Sequence, residues 1–187
     1  MSELVQQHLS EAKDAMQKAV SHTEAELAKI RAGKAMPSML DGIQVDYYGS
    51  MMPLNQVSNV NTPDPRTIMV QPWEKSMLQP IEKAIMDANL GFNPQNDGAV
   101  IRISVPPLTE ERRKDLVKKV RNEAEQGKIS VRTIRKEANE KIKKLSGDHV
   151  SEDEIKDGED AVQKLTDQHI ASIEELFDAK EKDIMTV

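Results

Sequence analysis

Three long segments of this chain each carry one apolar stripe at helical spacing, and that repeated one-sidedness limits the fold more than any other feature. Over residues 2–30, Leu9, Met16, Val20, Leu27 and Ile30 recur at helical steps, with Ala12 and Thr23 filling the gaps. The pattern predicts a helix with a single buried face. At about 1.5 Å per residue it is some 40 Å long, too long for a compact small domain and suited to an elongated bundle. Gly33 and Pro37 stop it. A second stripe, Leu116, Val120, Ala124, Val131, Ile134, Ala138, Ile142 and Leu145, follows Glu110-Glu111, carboxylates placed where a helix dipole favours them. Gly127 inside this stripe costs about 1 kcal/mol, and Gly147 ends it. The third helix starts at Ser151 with Glu154 as its capping box and buries Ile155, Val162, Leu165, Ile173 and Leu176. None of the three can hide its stripe alone, so a three-helix bundle is expected.

Between roughly 31 and 106 the texture changes. Seven of the nine prolines lie inside 37–94, and short alternating runs replace the helical period. Ile43, Val45 and Tyr47 alternate before a turn at Gly49, and Thr67 to Gln71 and Val100 to Val105 read as further strands. One helix interrupts them. Ser76 and Gln79 form its expected capping box, Pro80 lies in its first turn, Ile81, Ala84, Ile85 and Ala88 supply its apolar face, and Asn89 and Gly91 end it. The expected fold is therefore α+β. Residues 1–30 and 107–187 form an elongated three-helix bundle, and 31–106 form a small inserted β/α/β sandwich-like domain on two chain crossings. Crossings at 31–36 and 104–108 predict a hinge, with Arg31, Gly33, Pro106 and Pro107 as its residues.

A net charge of −6 argues superficially against a polyanionic partner, but the sum hides an asymmetry. Residues 109–145 hold 13 Lys and Arg against 7 Asp and Glu, a local surplus of +6, while the remainder carries 13 basic and 25 acidic groups. Projected at 100° per residue, Lys114, Lys118, Arg121, Lys128, Arg132, Arg135, Lys136, Asn139 and Lys143 fall within about 60° of one direction. The apolar stripe centres about 110° away, so a basic ridge, interrupted by Glu125, lies beside the bundle seam. Such a ridge is either a solvated face or a phosphate-binding one, and the surplus set against an acidic background favours phosphate. The planar guanidiniums of Arg113, Arg121, Arg132 and Arg135 can fork onto phosphate where Lys offers a point charge. With only 3% aromatic residues, stacking on single strands is disfavoured and folded RNA, recognised by shape and backbone, is the expected target. Four or five phosphate contacts at roughly 0.7–0.9 each predict a steep salt dependence.

Enzyme readings fare badly. Cys is absent, which removes thiol catalysis, thiolate zinc sites and iron–sulfur clusters and fits a reducing compartment. His8, His22, His149 and His169 lie far apart without metal-ligand spacing, and His169 falls on an apolar stripe as a core or boundary residue. No phosphate loop, nucleophile elbow or dinucleotide fingerprint is present, so no catalytic residue, metal or cofactor is expected. The start Met1-Ser2-Glu3-Leu4 does not read as a signal peptide, and no stretch approaches the roughly 18 apolar residues of a membrane span. A cytoplasmic monomer that binds no membrane and no small-molecule substrate is expected. Tyr47 continues the inward alternation, Tyr48 points the opposite way, and Trp73, after Pro72, either serves a protein contact or covers the core. The ten methionines read as core filler.

Along essentially its whole length the chain resembles bacterial ribosome recycling factors. The resemblance is carried by Arg31-Ala32-Gly33-Lys34-Ala35, Pro37, Leu40-Asp41-Gly42 and Tyr47-Tyr48-Gly49, then by Glu82-Lys83-Ala84-Ile85, Leu90-Gly91 and Asn93-Pro94. It continues through Pro107-Leu108-Thr109-Glu110-Glu111-Arg112-Arg113 and the run from Val131 to Asn139. It implies a three-helix bundle with a hinged, inserted second domain. It also implies a non-enzymatic factor of protein biosynthesis that acts after translation termination, splitting the ribosome into subunits with elongation factor G and GTP. The bundle is then the part that binds large-subunit ribosomal RNA, with Arg113, Arg132 and Arg135 in the contact, and elongation factor G pushes on the second domain. A helical adaptor, which would need an exposed apolar groove, and a translation inhibitor on the same RNA are the competing readings.

Overall fold

The computed structural model describes residues 2–147 and 150–186, so His149 lies outside the described residues. In chain order the elements are helix α1 (Glu3–Lys29), strands β1 (Gln44–Tyr47), β2 (Ser50–Pro53), β3 (Ser58–Asp64) and β4 (Thr67–Pro72), then helix α2 (Leu78–Asp87). Strands β5 (Pro94–Asn96) and β6 (Ile101–Ser104) and helices α3 (Glu110–Lys144) and α4 (Glu152–Met185) complete the chain. It divides into a helical unit, Met1–Ala32 with Glu110–Val187, and a second unit, Gly33–Thr109. The architecture is α+β.

In the helical unit the three stripes meet. Val5, Ala12, Met16 and Val20 of α1, Ala124, Val131, Ala138 and Ile142 of α3, and Ile155, Val162 and Ile173 of α4 share one core. Each fully buried aliphatic side chain contributes roughly 1.5–3 kcal/mol. Leu27, Val120 and Ile184 form a second, smaller cluster. Gly127 of α3 is a seam residue, because a Cβ there would collide with Thr23 Oγ1 and press within 3.2 Å of Ile173 Cδ1. Gly158 of α4 lies similarly close to Val5, at 2.7 Å from an added Cβ. His169 is a core residue as expected, its Nδ1 2.6 Å from the Leu165 carbonyl oxygen, to which the ring N–H donates. The cap of α4 also forms as expected: Ser151 Oγ accepts from Glu154 N–H at 3.3 Å, and the Glu154 carboxylate accepts from Ser151 N–H at 3.4 Å.

The second unit has a β1–β2 hairpin and a four-stranded antiparallel sheet in the order β3-β4-β6-β5. Ile68, Val70, Ile101 and Ile103 of the sheet, Val45 of the hairpin and Leu78, Ile81 and Ile85 of α2 form its core. The hairpin turns on Tyr48 and Gly49, both at positive φ, with Tyr47 opposite Ser50. That is the geometry whose twist suits a two-residue hairpin. Strand β3 was not expected, since its sequence Ser-Asn-Val-Asn-Thr-Pro-Asp reads as loop. It survives as an edge strand whose register breaks between Asn61 and Asp64, where Pro63 removes no interior ladder bond. The expected Ser76 capping box does not form. Residues 75–77 make a 3-10 turn in which Met77 N–H donates to Glu74 O, Met77 itself is the N-cap, and Ser76 Oγ lies 3.3 Å from the Tyr48 hydroxyl. The tighter turn satisfies the backbone and leaves the serine free for the tyrosine.

Candidate nucleic-acid interface

Helix α3 runs 35 residues without interruption, so side chains four apart on its outer face are held in fixed relation by the buried stripe behind them. The ridge is not uniform. Lys114 pairs with Glu110 at 2.9 Å, a bond that holds the Glu110 carboxyl below its usual range. Lys128 is drawn between Glu125 at 3.3 Å and Glu174 of α4 at 3.2 Å, with only 15% of its side chain exposed. Lys143 pairs with Glu159 of α4 at 3.1 Å, and the Arg121 guanidinium sits 5.7 Å from the centre of the Phe177 ring. Surface pairs of this kind are worth at most about 1 kcal/mol. They lower the free positive charge of the ridge.

Arg132 and Lys136 differ. Both are exposed, and among the described residues neither has a hydrogen bond or an ion pair. Together with Arg135, Asn139 and Lys143 they line an open groove of about 570 Å³ along the C-terminal half of α3. Arg135 is half-buried, and its Nη1 donates to Gln163 Oε1 of α4 at 3.4 Å. Gln163, Ile129 and Thr133 belong to the same lining and were not expected. Ile129 and Thr133 were readable as neighbours of Arg132 on the helix, whereas Gln163 comes from another helix and left no local signal.

Arg113 stands apart from this cluster. It lies about 28 Å along the axis from Arg132 and about 100° round it, half-buried on the seam side in the first turns of α3. The structure therefore joins Arg132, Arg135, Lys136 and Asn139 in one groove and leaves Arg113, Lys114 and Arg121 nearer the other end of the helix.

The expected hinge residues occupy exposed or constrained positions. Arg31, Pro106 and Pro107 are exposed. Gly33 has φ +74, and a Cβ on it would collide with the Leu108 side chain. On either side of that contact Ala35 N–H donates to Pro65 O at 2.8 Å and Val105 N–H to Arg66 O at 2.7 Å, so both strands of the crossing are tied to one β3–β4 turn.

Among the described residues no three His, Asp or Glu are placed to hold a metal ion. No helix in them is long and apolar enough to cross a membrane.

The family model for ribosome recycling factor matches residues 23–185. The chain belongs to the ribosome recycling factor family. It is 61% identical to the ribosome-recycling factor of Cytophaga hutchinsonii, over 96% of this chain and 97% of that one. It is 54% identical to that of Flavobacterium johnsoniae over the full length of both. Among solved structures, the solution structure of a ribosome recycling factor aligns over 100% of both chains with a TM-score of 0.69 and 40% identity. A second match, at TM-score 0.59 and 47% identity over 97% of this chain and 99% of the other, is the Thermus thermophilus factor in a model with E. coli elongation factor G bound to the E. coli post-termination complex. Family membership thus spans both units, the groove and the crossings. The family is one of non-catalytic translation factors, and the resemblance that sequence motifs carried is correct.

Proposed function

We propose that this chain binds the post-termination ribosome through the outer face of α3 and, with elongation factor G and GTP, drives its separation into subunits. The observation that carries the reading is the pair of uncommitted cations, Arg132 and Lys136, on a rigid helix of a chain whose relative has been placed on the post-termination complex with elongation factor G. Large-subunit ribosomal RNA is the partner of this face. Arg132, Arg135, Lys136 and Asn139 supply the central contact, and Lys128, Arg121, Lys114 and Arg113 extend it along the helix. Binding by counterion release needs cations held in register and no nucleophile.

The crossings at Arg31, Gly33, Pro106 and Pro107 serve as a hinge, and the inserted unit receives the push of elongation factor G. The factor works as a cytoplasmic monomer without a cofactor. A helical adaptor would present an apolar groove on the bundle, whereas the groove on α3 is lined chiefly by cationic and amide side chains.

The test is light scattering of purified post-termination ribosomes mixed with the chain, elongation factor G and GTP. Splitting is expected only with all three present. Blocked translation without splitting would make the chain an inhibitor on the same RNA.

A further inference from the structure

The groove on α3 contains one group that the cations do not explain. Asn139 lines it, and Asn139 Oδ1 is shut off from solvent without a hydrogen-bond partner, alone in this among the side-chain polar atoms of the described residues. A buried acceptor left unpaired destabilises the fold, and Ala is a better helix former than Asn, so folding alone gives no reason for an amide at this position. The neighbouring amide cannot serve it. Gln163 Oε1 already accepts from Arg135 at 3.4 Å, and Gln163 Nε2 donates to Asp167 at 2.8 Å. Glu140, also in the lining, offers only acceptors when ionised.

We propose that Asn139 accepts a hydrogen bond from a ribose 2′-hydroxyl, so that this face distinguishes RNA from DNA. The inference rests on the reading of the face as an RNA-binding surface. A sugar–phosphate backbone presents acceptors at every phosphate, and Arg132 and Lys136 answer those. Its single donor is the 2′-hydroxyl, which DNA lacks. Base edges also carry donors, but reading them in RNA calls for splayed bases stacked on aromatic rings or guanidinium planes; no aromatic residue lines the groove, and its two guanidiniums face phosphates in the proposed complex. The terminal torsion of an Asn side chain is broad, so the amide turns its oxygen from the enclosed position into the groove as the donor arrives.

The test compares Asn139→Ala with the native chain on purified large ribosomal subunits at low salt. Loss of one hydrogen bond predicts about three- to tenfold weaker binding, with a melting temperature equal to or above that of the native chain. Acylation of 2′-hydroxyls in the subunit RNA, read at saturating protein, should show a hydroxyl shielded by the native chain and reactive with the variant. Unchanged affinity, an unchanged pattern of shielded hydroxyls, or a lowered melting temperature each overturns the assignment. Arg132→Ala in the same assay separates the two readings. If it weakens binding and Asn139→Ala does not, only the sugar contact fails; if neither weakens binding, the RNA face itself fails.

Discussion

The two units show solvent different chemistry. On the helical unit the outer face of α3 is cationic, and carboxylates of α4 reach across to part of it, Glu174 to Lys128 and Glu159 to Lys143. On the inserted unit the most exposed large hydrophobic side chains of the described residues stand out, with Tyr48 74%, Trp73 67% and Met51 65% exposed. Tyr48 is held in place, at φ 49 and with its hydroxyl 3.0 Å from Glu74 Oε2. Charge acts at a distance and is screened by salt, whereas an exposed ring works only on contact. In the proposed reading, the α3 face draws a polyanion from a distance, and the inserted unit is the part met on contact.

The sharpest way to break that comparison is to remove its strongest cations. Arg132→Ala with Arg135→Ala removes two charge-assisted contacts and should weaken binding to large subunits on the order of a hundredfold at low salt. The slope of log K against log salt should fall by about 1.5. Circular dichroism should stay unchanged, since Arg132 is exposed and Arg135 loses one long hydrogen bond. Equal affinity and slope in the double variant would show that attraction does not reside in this groove. Neutralising Lys128 should do less, because Glu125 and Glu174 already hold it.

Gly127 sharpens the comparison from inside the helix. On an exposed helix, Gly→Ala stabilises by roughly 0.8–1 kcal/mol. Here the added methyl meets Thr23 Oγ1 and Ile173 Cδ1, and Thr23 Oγ1 is itself held by donation to Ala19 O at 2.9 Å. Gly127→Ala should therefore destabilise, by about 1–3 kcal/mol, measured by urea unfolding. A gain in stability would mean that α1 and α3 can part without loss.

The helices were legible to within a residue or two because a stripe repeated over some thirty residues leaves little freedom, and Ser151 with Glu154 marked one start outright. The face of α3 was legible as a direction but not as a set of free charges. Glu110 and Glu125 could be paired with Lys114 and Lys128 from their spacing on one helix. Glu174 and Glu159 could not, because they approach only after α4 packs against α3. The enclosed Asn139 oxygen and the partner amide of Gln163 are tertiary facts of the same kind. In the inserted unit β3 was unreadable, since pairing with β4 overrides the poor strand propensity of Asn59, Asn61 and Pro63. Ser76 misled for the opposite reason: a correct local signal was outcompeted by a 3-10 turn and a distant tyrosine.

The smallest expected effect concerns the ring cluster of the inserted unit. Tyr47 donates to Glu74 Oε1 at 2.9 Å while Tyr48 donates to Glu74 Oε2, and the two rings meet edge to face with centroids 4.8 Å apart. The hydrogen bond to Glu74, and then its negative charge, push the Tyr47 phenol above its ordinary range. A raised phenol pKa means that folding favours the protonated ring. That stabilisation is complete below the pKa of the unfolded phenol and is lost as pH rises through the folded value. These are the two tyrosines of the chain, so the phenolate absorbance of an alkaline titration reports this cluster alone. The native chain should show an ionisation displaced to high pH, and Glu74→Gln should bring it back toward the ordinary range without unfolding the helical unit. If the titration does not move in the variant, Glu74 does not clamp the rings, and the exposed aromatic face of the inserted unit is loose where the cationic face of α3 is fixed.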